Sequence, residues 1–351
     1  MKALVFRTAG QAEVVERPIP VPGPDEVLVR VAVCGVCGSD AAEFDHGPIL
    51  TSPPVVLGHE FAGTVEAVGA SVTAFAPGNR VVCGAGVSCG QCRQCHRGRT
   101  NLCATYWTTG LQRDGGLAEY VVAPASVLLD VSDSPLTLDT LGLAQPMSIA
   151  VHAVRRSGVG PDDNAVIVGA GGIGAFLIVA AAAVAARVVV VDLDPARLEL
   201  AARLGATATL DPRDGSLTDQ LDALDVHPDV LFEVSGSAAG LASVLGAARP
   251  GSTIVPVGIQ RADVTAPLAS WTVREYTIVG TNAHVFSADL AEAVRLLATR
   301  DDWSDIAPTV HPLDRTLDDG LIPLSTGASQ RIKTLIDPSA THVRAADHHR
   351  S

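Results

Sequence analysis

Positive charge is the first thing this chain has little of. Its 351 residues carry 25 Lys and Arg against 38 Asp and Glu, a formal net charge of −13. No basic field exists to attract polyanions, which argues against nucleic acid or an anionic membrane surface as a partner. The start, "MKALVFRTAG", has only a short apolar run and one lysine. It does not read as a secretory signal, so a cytoplasmic protein is expected, and its alternation suggests an edge strand. Internal repeats and low-complexity linkers are also missing. Cysteines number seven. In a reducing compartment, clustered thiols bind metal more often than they form disulfides.

One long stretch lacks charge altogether. Ala165 to Ala186 is 22 residues without Asp, Glu, Lys or Arg, long enough to span a bilayer. Its internal order argues otherwise. "NAVIVGAGGIGAFLIVAAAAVAARVVVVDLD" runs from a β-rich segment through a glycine cluster and an alanine-rich segment to a second β-rich segment. A strand, turn, helix and strand account for that order; a spanning helix does not.

Length favours two domains. Residues 1–35 and 55–83 read as short β-branched runs broken by Pro and Gly, the pattern of an antiparallel barrel, and 117–130 returns to strand. From about 146 to 283 strands at 165–168, 187–191, 229–234, 252–257 and 276–280 alternate with helices near 173–186, 195–204, 217–224 and 238–248. That pattern predicts a doubly wound parallel sheet. Residues 287–299 predict an amphipathic helix with Leu290, Ala293, Val294 and Leu297 on one face. The last residues, "ATHVRAADHHRS", are polar and expected to fray, their histidines a solvated tail.

The glycine cluster supplies Gly169, Gly171 and Gly174 in G-x-G-x-x-G spacing after a strand and at the opening of a helix, and Asp192 ends the next strand 18 residues after Gly174. Gly169 allows the tight turn, Gly171 close approach of a pyrophosphate, and Gly174 close packing of helix on strand. Free N–H groups at Gly172 and Ile173 would face the phosphates. Asp192 can accept from both hydroxyls of an adenosine ribose and would repel a 2′-phosphate, so NAD is expected rather than NADP.

Cys89, Cys92, Cys95 and Cys103 form C-x2-C-x2-C-x7-C. Four thiolates in one loop suit a closed, structural zinc site; an iron–sulfur cluster shares part of that spacing. "VAVCGVCGSDAAEF" at 31–44 holds a separate C-x-x-C, Cys34 and Cys37. Its spacing alone leaves a redox pair, half a zinc site, or one working thiolate.

"CGSD" at 37–40, "GHEFAGTV" at 58–65, the four-cysteine loop, "GGLAEYVV" at 115–122, "HAVRRSGV" at 152–159 and "GAGGIG" together resemble the zinc-dependent medium-chain dehydrogenases, closest to the polyol branch of sorbitol and (R,R)-butanediol dehydrogenases. The resemblance covers Met1 to about Pro338. It implies a GroES-like catalytic domain built from residues 1–145 and 284–351, with a Rossmann domain, 146–283, inserted between them. It implies two zinc ions per chain, one structural and one catalytic, with NAD, and a homodimer or homotetramer joined through the Rossmann sheets.

The same resemblance places Cys37 and His59 as ligands of the catalytic zinc, with Glu60 beside them, and leaves Cys34 as a small buried hydrophobe. A catalytic zinc takes about three protein ligands and an open position. Where the family shows a glutamate ligand this chain has Gln145, so Glu60, Gln145 and water compete for the remaining place. Ser39 is implied as the proton acceptor, Asp40 as a support for the ligands. The family's proton-path histidine is replaced by Ala42. The resemblance puts Val257 and Gly258 of "PVGI" and Asn282 of "TNA" beside the nicotinamide, and Arg197 with "VSGS" at 234–237 near the adenosine. Glu119 and Tyr120 read as strand.

The implied reaction is reversible oxidation of a secondary alcohol: a diol, sugar alcohol, sugar or cyclitol. Two other readings stay open. One is a zinc-free NADPH quinone or enone reductase of the same fold. The other is a non-catalytic dinucleotide sensor, in keeping with Ala42 and Gln145. A substrate pocket would draw on residues near Phe44, Trp107 and the segment after 281.

Overall fold

A spine strand, Glu26–Val36, organises the first of two compact units. The computed structural model describes residues 1–260, 263–329 and 331–349. Its contacts divide into Met1–Ser148 with His284–Ser351, and Ile149–Ala283. In the first unit the spine pairs antiparallel with Glu60–Val68 along most of its length, and with Tyr120–Pro124 and then Thr334–Asp337. Val27, Val29, Val31 and Val33 alternate along one face and are fully or nearly fully buried, as is Cys34, while Arg30 between them is exposed. The eight-stranded sheet continues through Arg80–Cys83 and Leu128–Asp130 on one side and Thr309–Pro312 and Arg344–Ala345 on the other. Its pairings are antiparallel except Thr309–Pro312 against Thr334–Asp337, which is parallel.

The N-terminal strand departs from the expected edge. Lys2–Thr8 lies in the middle of a three-stranded sheet, between Gln11–Glu16 and Val55–Val56. Ala3, Leu4, Val5 and Phe6 are buried in succession, because both faces are covered and alternation is lost.

The second unit is a six-stranded parallel sheet. Its order is Ala208–Leu210, Arg187–Val191, Asn164–Val168, Val230–Glu233, Thr253–Pro256, Thr277–Ile278. The order reverses between Asn164–Val168 and Val230–Glu233, the switch point at which open α/β sheets bind ligands. Ala208–Leu210 is an addition to the predicted strands; three residues are too few to show a period. The charge-free stretch resolves into the end of one strand, a turn and the helix Gly172–Ala182, which is 11 residues long. Among the described residues no helix is long and apolar enough to cross a membrane.

The expected boundary after residue 145 falls inside a helix. Ala144–Ser157 runs through it without a break, and the units divide after Ser148. Phe286–Leu297 is the predicted amphipathic helix, with Leu296 rather than Val294 buried beside Leu290, Ala293 and Leu297.

Through His349 the C-terminal segment is held down rather than frayed; Arg350 and Ser351 lie outside the described residues. Arg344 donates two hydrogen bonds to the carboxylate of Asp139, at 2.6 and 2.9 Å, and the Asp347 N–H adds a third at 2.7 Å. His348 is 3% exposed, its Nδ1 3.0 Å from Thr140 Oγ1 and its Nε2 2.8 Å from the Ala307 carbonyl. A buried acid more than two hundred positions upstream holds this polar tail, and local sequence gives no sign of it.

Candidate metal centre and dinucleotide site

The spine strand ends at Val36 and a helix, Gly38–His46, begins two residues later with Cys37 at its N-cap. Asp40, in the first turn, accepts the Cys37 backbone N–H at 2.9 Å. This return bond satisfies an N–H that would otherwise be orphaned at the helix start. The same carboxylate accepts the Gly58 N–H at 3.4 Å and lies 3.4 Å from His59 Nδ1. Asp40 is fully buried and His59 6% exposed. One carboxylate therefore ties the Cys37 turn to the strand entry that carries His59, the arrangement that orients a metal-ligating imidazole.

Donor atoms of Cys37, His59 and Glu60 lie within 4.8 Å of one another. Ser39 Oγ is 3.4 Å from His59 Nε2. Burial pulls the His59 pKa down, but Asp40 and Cys37 together outweigh it and hold the imidazole well above its usual value. A thiol, an imidazole and a carboxyl whose donor atoms converge in a largely buried site are the ligand types zinc takes, so the donor set fits zinc.

Glu60 has a partner that the sequence motifs do not reveal. Lys333 Nζ donates to both its carboxylate oxygens, at 2.6 and 2.9 Å, and to the Val36 carbonyl at 3.3 Å. Lys333 and Glu60 side chains are 5% and 1% exposed. The available signal is a lysine inside the apolar run "RIKTLID": a lysine is almost never fully buried unless paired. Cys34 is fully buried in the core beneath, 3.6 Å from the Gly35 carbonyl. Burial, with Asp40 and Glu60, pushes its thiol pKa well up.

Gln145 opens the helix Ala144–Ser157 and is 9% exposed. Its carbonyl accepts from Ser148 Oγ at 2.6 Å. That hydroxyl is 2.9 Å from His284 Nδ1, whose Nε2 lies 2.8 Å from the Gly84 carbonyl. Ala42 is half-buried in the Cys37 helix. Phe44 is partly buried and packs against the core of the first unit. Trp107 has the Arg113 guanidinium 4.1 Å over its ring.

Sulfurs of Cys89, Cys92, Cys95 and Cys103 also lie within 4.8 Å of one another, and none is in a disulfide. The Cys89 N–H points at Cys103 Sγ at 3.2 Å and the Thr105 N–H at 3.4 Å. Such N–H donors bring Cys103 down to about 6, and the Ala104 N–H leads those that bring Cys92 to about 7. Cys95 is pushed up to about 11, by burial first and by its contact with Cys92 second. Two sulfurs prepared as thiolates in a four-sulfur cage fit a closed zinc site.

In the second unit, Gly169 has φ +106° and turns the chain out of its strand. A Cβ at Gly174 would lie 2.0 Å from the Gly169 carbonyl oxygen, so only glycine fits there. Gly171 caps the helix with no side-chain bond, leaving the N–H groups of Gly172 and Ile173 to an incoming anion. Asp192 accepts the Ala170 N–H at 2.7 Å and the Asp194 N–H at 2.9 Å. Arg197 stands 3.9 Å from Asp192 and 3.7 Å from Asp194. Val257 and Gly258 follow the strand Thr253–Pro256, and Asn282 is exposed beyond Thr277–Ile278. A glycine cradle, a helix start with no side-chain cap bond and an acid at the next strand fit a dinucleotide.

Residues 23–133 match the alcohol dehydrogenase GroES-like domain family, and residues 172–299 match the zinc-binding dehydrogenase family. A sorbitol dehydrogenase of Gallus gallus is 37% identical over 79% of this chain and 81% of its own length. A probable D-xylulose reductase A of Neosartorya fischeri is 34% identical over 85% of this chain and 86% of its own. Among solved structures, a putative zinc-binding dehydrogenase from Sinorhizobium meliloti 1021 bound to NADP superposes with a TM-score of 0.88. It is 32% identical and covers 96% of this chain and 99% of the other.

Proposed function

The chain belongs to the zinc-dependent medium-chain dehydrogenases, and from that premise we propose that it oxidises a secondary hydroxyl of a polyol, sugar or cyclitol to the ketone, reversibly, with NAD. The observation that carries this reading is the convergence of Cys37, His59 and Glu60 donors over the buried carboxylate of Asp40.

Cys37 and His59 would hold the catalytic zinc, with Gln145 or Glu60 completing the set, and Cys89, Cys92, Cys95 and Cys103 would hold the structural one. When bound, the first supplies Lewis-acid polarisation of the substrate oxygen, and the nicotinamide supplies the hydride acceptor. The chain's own groups do the rest. Asp40 fixes His59 in place through its Nδ1 side. Ser39, beside Nε2 of His59, takes the hydroxyl proton and passes its own onward. Ala42 offers no group to receive it, so water does. Lys333 neutralises Glu60, which keeps that carboxylate from competing freely for the metal.

Gly169, Gly171 and Gly174, with Gly172 and Ile173, would cradle the pyrophosphate. Val257, Gly258 and Asn282 would border the nicotinamide, and Arg197 the adenosine. Asp192 supports NAD: two of about four lone-pair positions on a carboxylate are already occupied by backbone N–H groups, which leaves acceptors for ribose hydroxyls. We place the protein in the cytoplasm and read it as a homodimer. Support for the dimer comes from the sheet edge at Thr277–Ile278, where both residues are exposed, and from Leu268 and Val273, 64% and 80% exposed beside it in sequence.

The test is coenzyme reduction over a panel of diols, alditols, aldoses and cyclitols, with NAD and NADP in parallel. At least one panel member should reduce NAD with a kcat/KM above that for NADP. No reduction with any member would overturn the reading, and preference for NADP would overturn the assignment of Asp192.

A further inference from the structure

Glu233 ends the strand Val230–Glu233 at the point where the sheet order reverses, and it is fully buried. Its backbone carbonyl accepts two N–H groups from the next loop, Val257 and Gly258, both at 2.8 Å. Its carboxylate lies between that loop and the one that follows its own strand. It accepts the Gly236 N–H at 3.1 Å, the Ser235 hydroxyl, and the Gln260 side-chain amide at 2.8 Å. Every one of these partners is a donor, and both carboxylate oxygens are satisfied.

The two loops so joined are in close contact above it. A Cβ at Gly258 would come within 2.3 Å of the Gly236 nitrogen, and one at Gly236 within 3.0 Å of the Ile259 carbonyl oxygen. The first loop also meets the glycine turn, since a Cβ at Gly169 would lie 2.8 Å from the Ser235 nitrogen. Three loops at the carboxyl ends of three adjacent strands are thus knitted over one carboxylate. Their outer face is left bare: Ser235 and Ser237 are exposed, and Ile259 is 89% exposed. A carboxyl buried under an exposed loop crest costs desolvation and contributes no apolar packing. It is explained if the crest must keep one shape for a ligand.

We propose that Glu233 is a positioning residue for the coenzyme: it fixes the loops 234–237 and 257–260 to each other and to the Gly169 turn, so that their main chain meets the dinucleotide preformed. This rests on reading the glycine cluster as a dinucleotide site. Glu233 touches no reacting atom; its effect belongs to binding, because preorganisation lowers the ordering cost that binding must meet.

Three variants test it. Glu233→Met removes all three acceptor contacts and should raise Kd and KM for NAD about ten-fold, the value of one or two hydrogen bonds. The kcat and the KM for the alcohol should stay within about two-fold, since neither depends on loop order once coenzyme is bound. Glu233→Gln keeps an acceptor for Gly236 and can donate to Gln260 once that amide turns over, so it should recover most of the loss. Gln260→Met, at a half-buried loop position that poses little risk to folding, should raise Kd about three-fold by losing one contact. Wild-type Kd for NAD in Gln260→Met together with wild-type KM in Glu233→Met would overturn the proposal. So would a fall in kcat with KM for NAD unchanged. If the unmodified protein bound no NAD at all, the dinucleotide reading itself would fall.

Discussion

At the scale of single residues, the site is governed by where two buried acids find their partners. Asp40 is recognisable from "CGSD" because it sits three residues from Cys37, and a helix start explains both. Glu60 is recognisable from "GHE", but its pairing is not, because the partner lies 273 positions away. Within the fold, burial lowers the Lys333 pKa while the Glu60 carboxylate, with Cys37 and Asp40, more than restores it, leaving it above its usual 10.5. A group whose folded pKa is raised contributes stability that is complete below its unfolded pKa and lost as pH climbs past the folded one. Lys333→Met should therefore lower unfolding stability by about 3 kcal/mol at pH 7, by leaving Glu60 buried and unpaired. The deficit should close only in alkali, above the ordinary lysine pKa, and Glu60→Gln added to Lys333→Met should restore part of it. Urea titrations of the wild type and the two variants at neutral and alkaline pH check this. Equal stability of Lys333→Met and wild type at pH 7 would mean the pair contributes nothing.

Elements are legible where their signals are local. The helices Pro195–Arg203 and Leu217–Ala223 begin at capping residues, Asp194 and Ser216, whose side chains accept a first-turn N–H. Their positions follow from the sequence within a residue or so. The glycine turn is equally clear, since each glycine has a separate steric reason to be there. The edge strand Ala208–Leu210, the short helix Leu268–Val273 and the docked tail are not visible in the sequence. The first two are too short to show a period, and the third is held by charge pairing rather than apolar pattern. Arg344 anchors that tail. Removing its guanidinium leaves the buried Asp139 carboxylate with the backbone N–H of Asp347 in place of a three-bond set. Arg344→Ala should cost about 2 kcal/mol, read as a lower denaturation midpoint, whereas Arg331→Ala, on an exposed residue, should leave it unchanged. An unaltered midpoint in Arg344→Ala would return the tail to the role of a loose end.

For the whole molecule, the two sheets divide the labour that their sequences announce. A mostly antiparallel sheet carries the thiol and imidazole donors, and a parallel sheet carries the glycine turn. The break between them falls after Ser148 rather than after residue 145 because a helix, not a linker, crosses it. The bare edge at Thr277–Ile278 leads to an assembly prediction. Light scattering should give twice the chain mass, and Ile278→Lys, which puts a charge on that edge, should shift it toward one chain with zinc content unchanged. A monomeric wild type would remove the proposed dimer.

Cys37 and His59 are proposed to hold a zinc distinct from that of the four-cysteine loop, and that ion to do the chemistry. Zinc quantified per chain, alongside NAD reduction on the best panel substrate, tests it most directly in wild type and in Cys37→Ser. Roughly two zinc ions per chain in wild type should fall to about one in Cys37→Ser, with turnover lost and the denaturation midpoint of the loop-bearing unit preserved. Retention of both ions and of turnover in Cys37→Ser, or a wild type with a single ion that turns over normally, would contradict it.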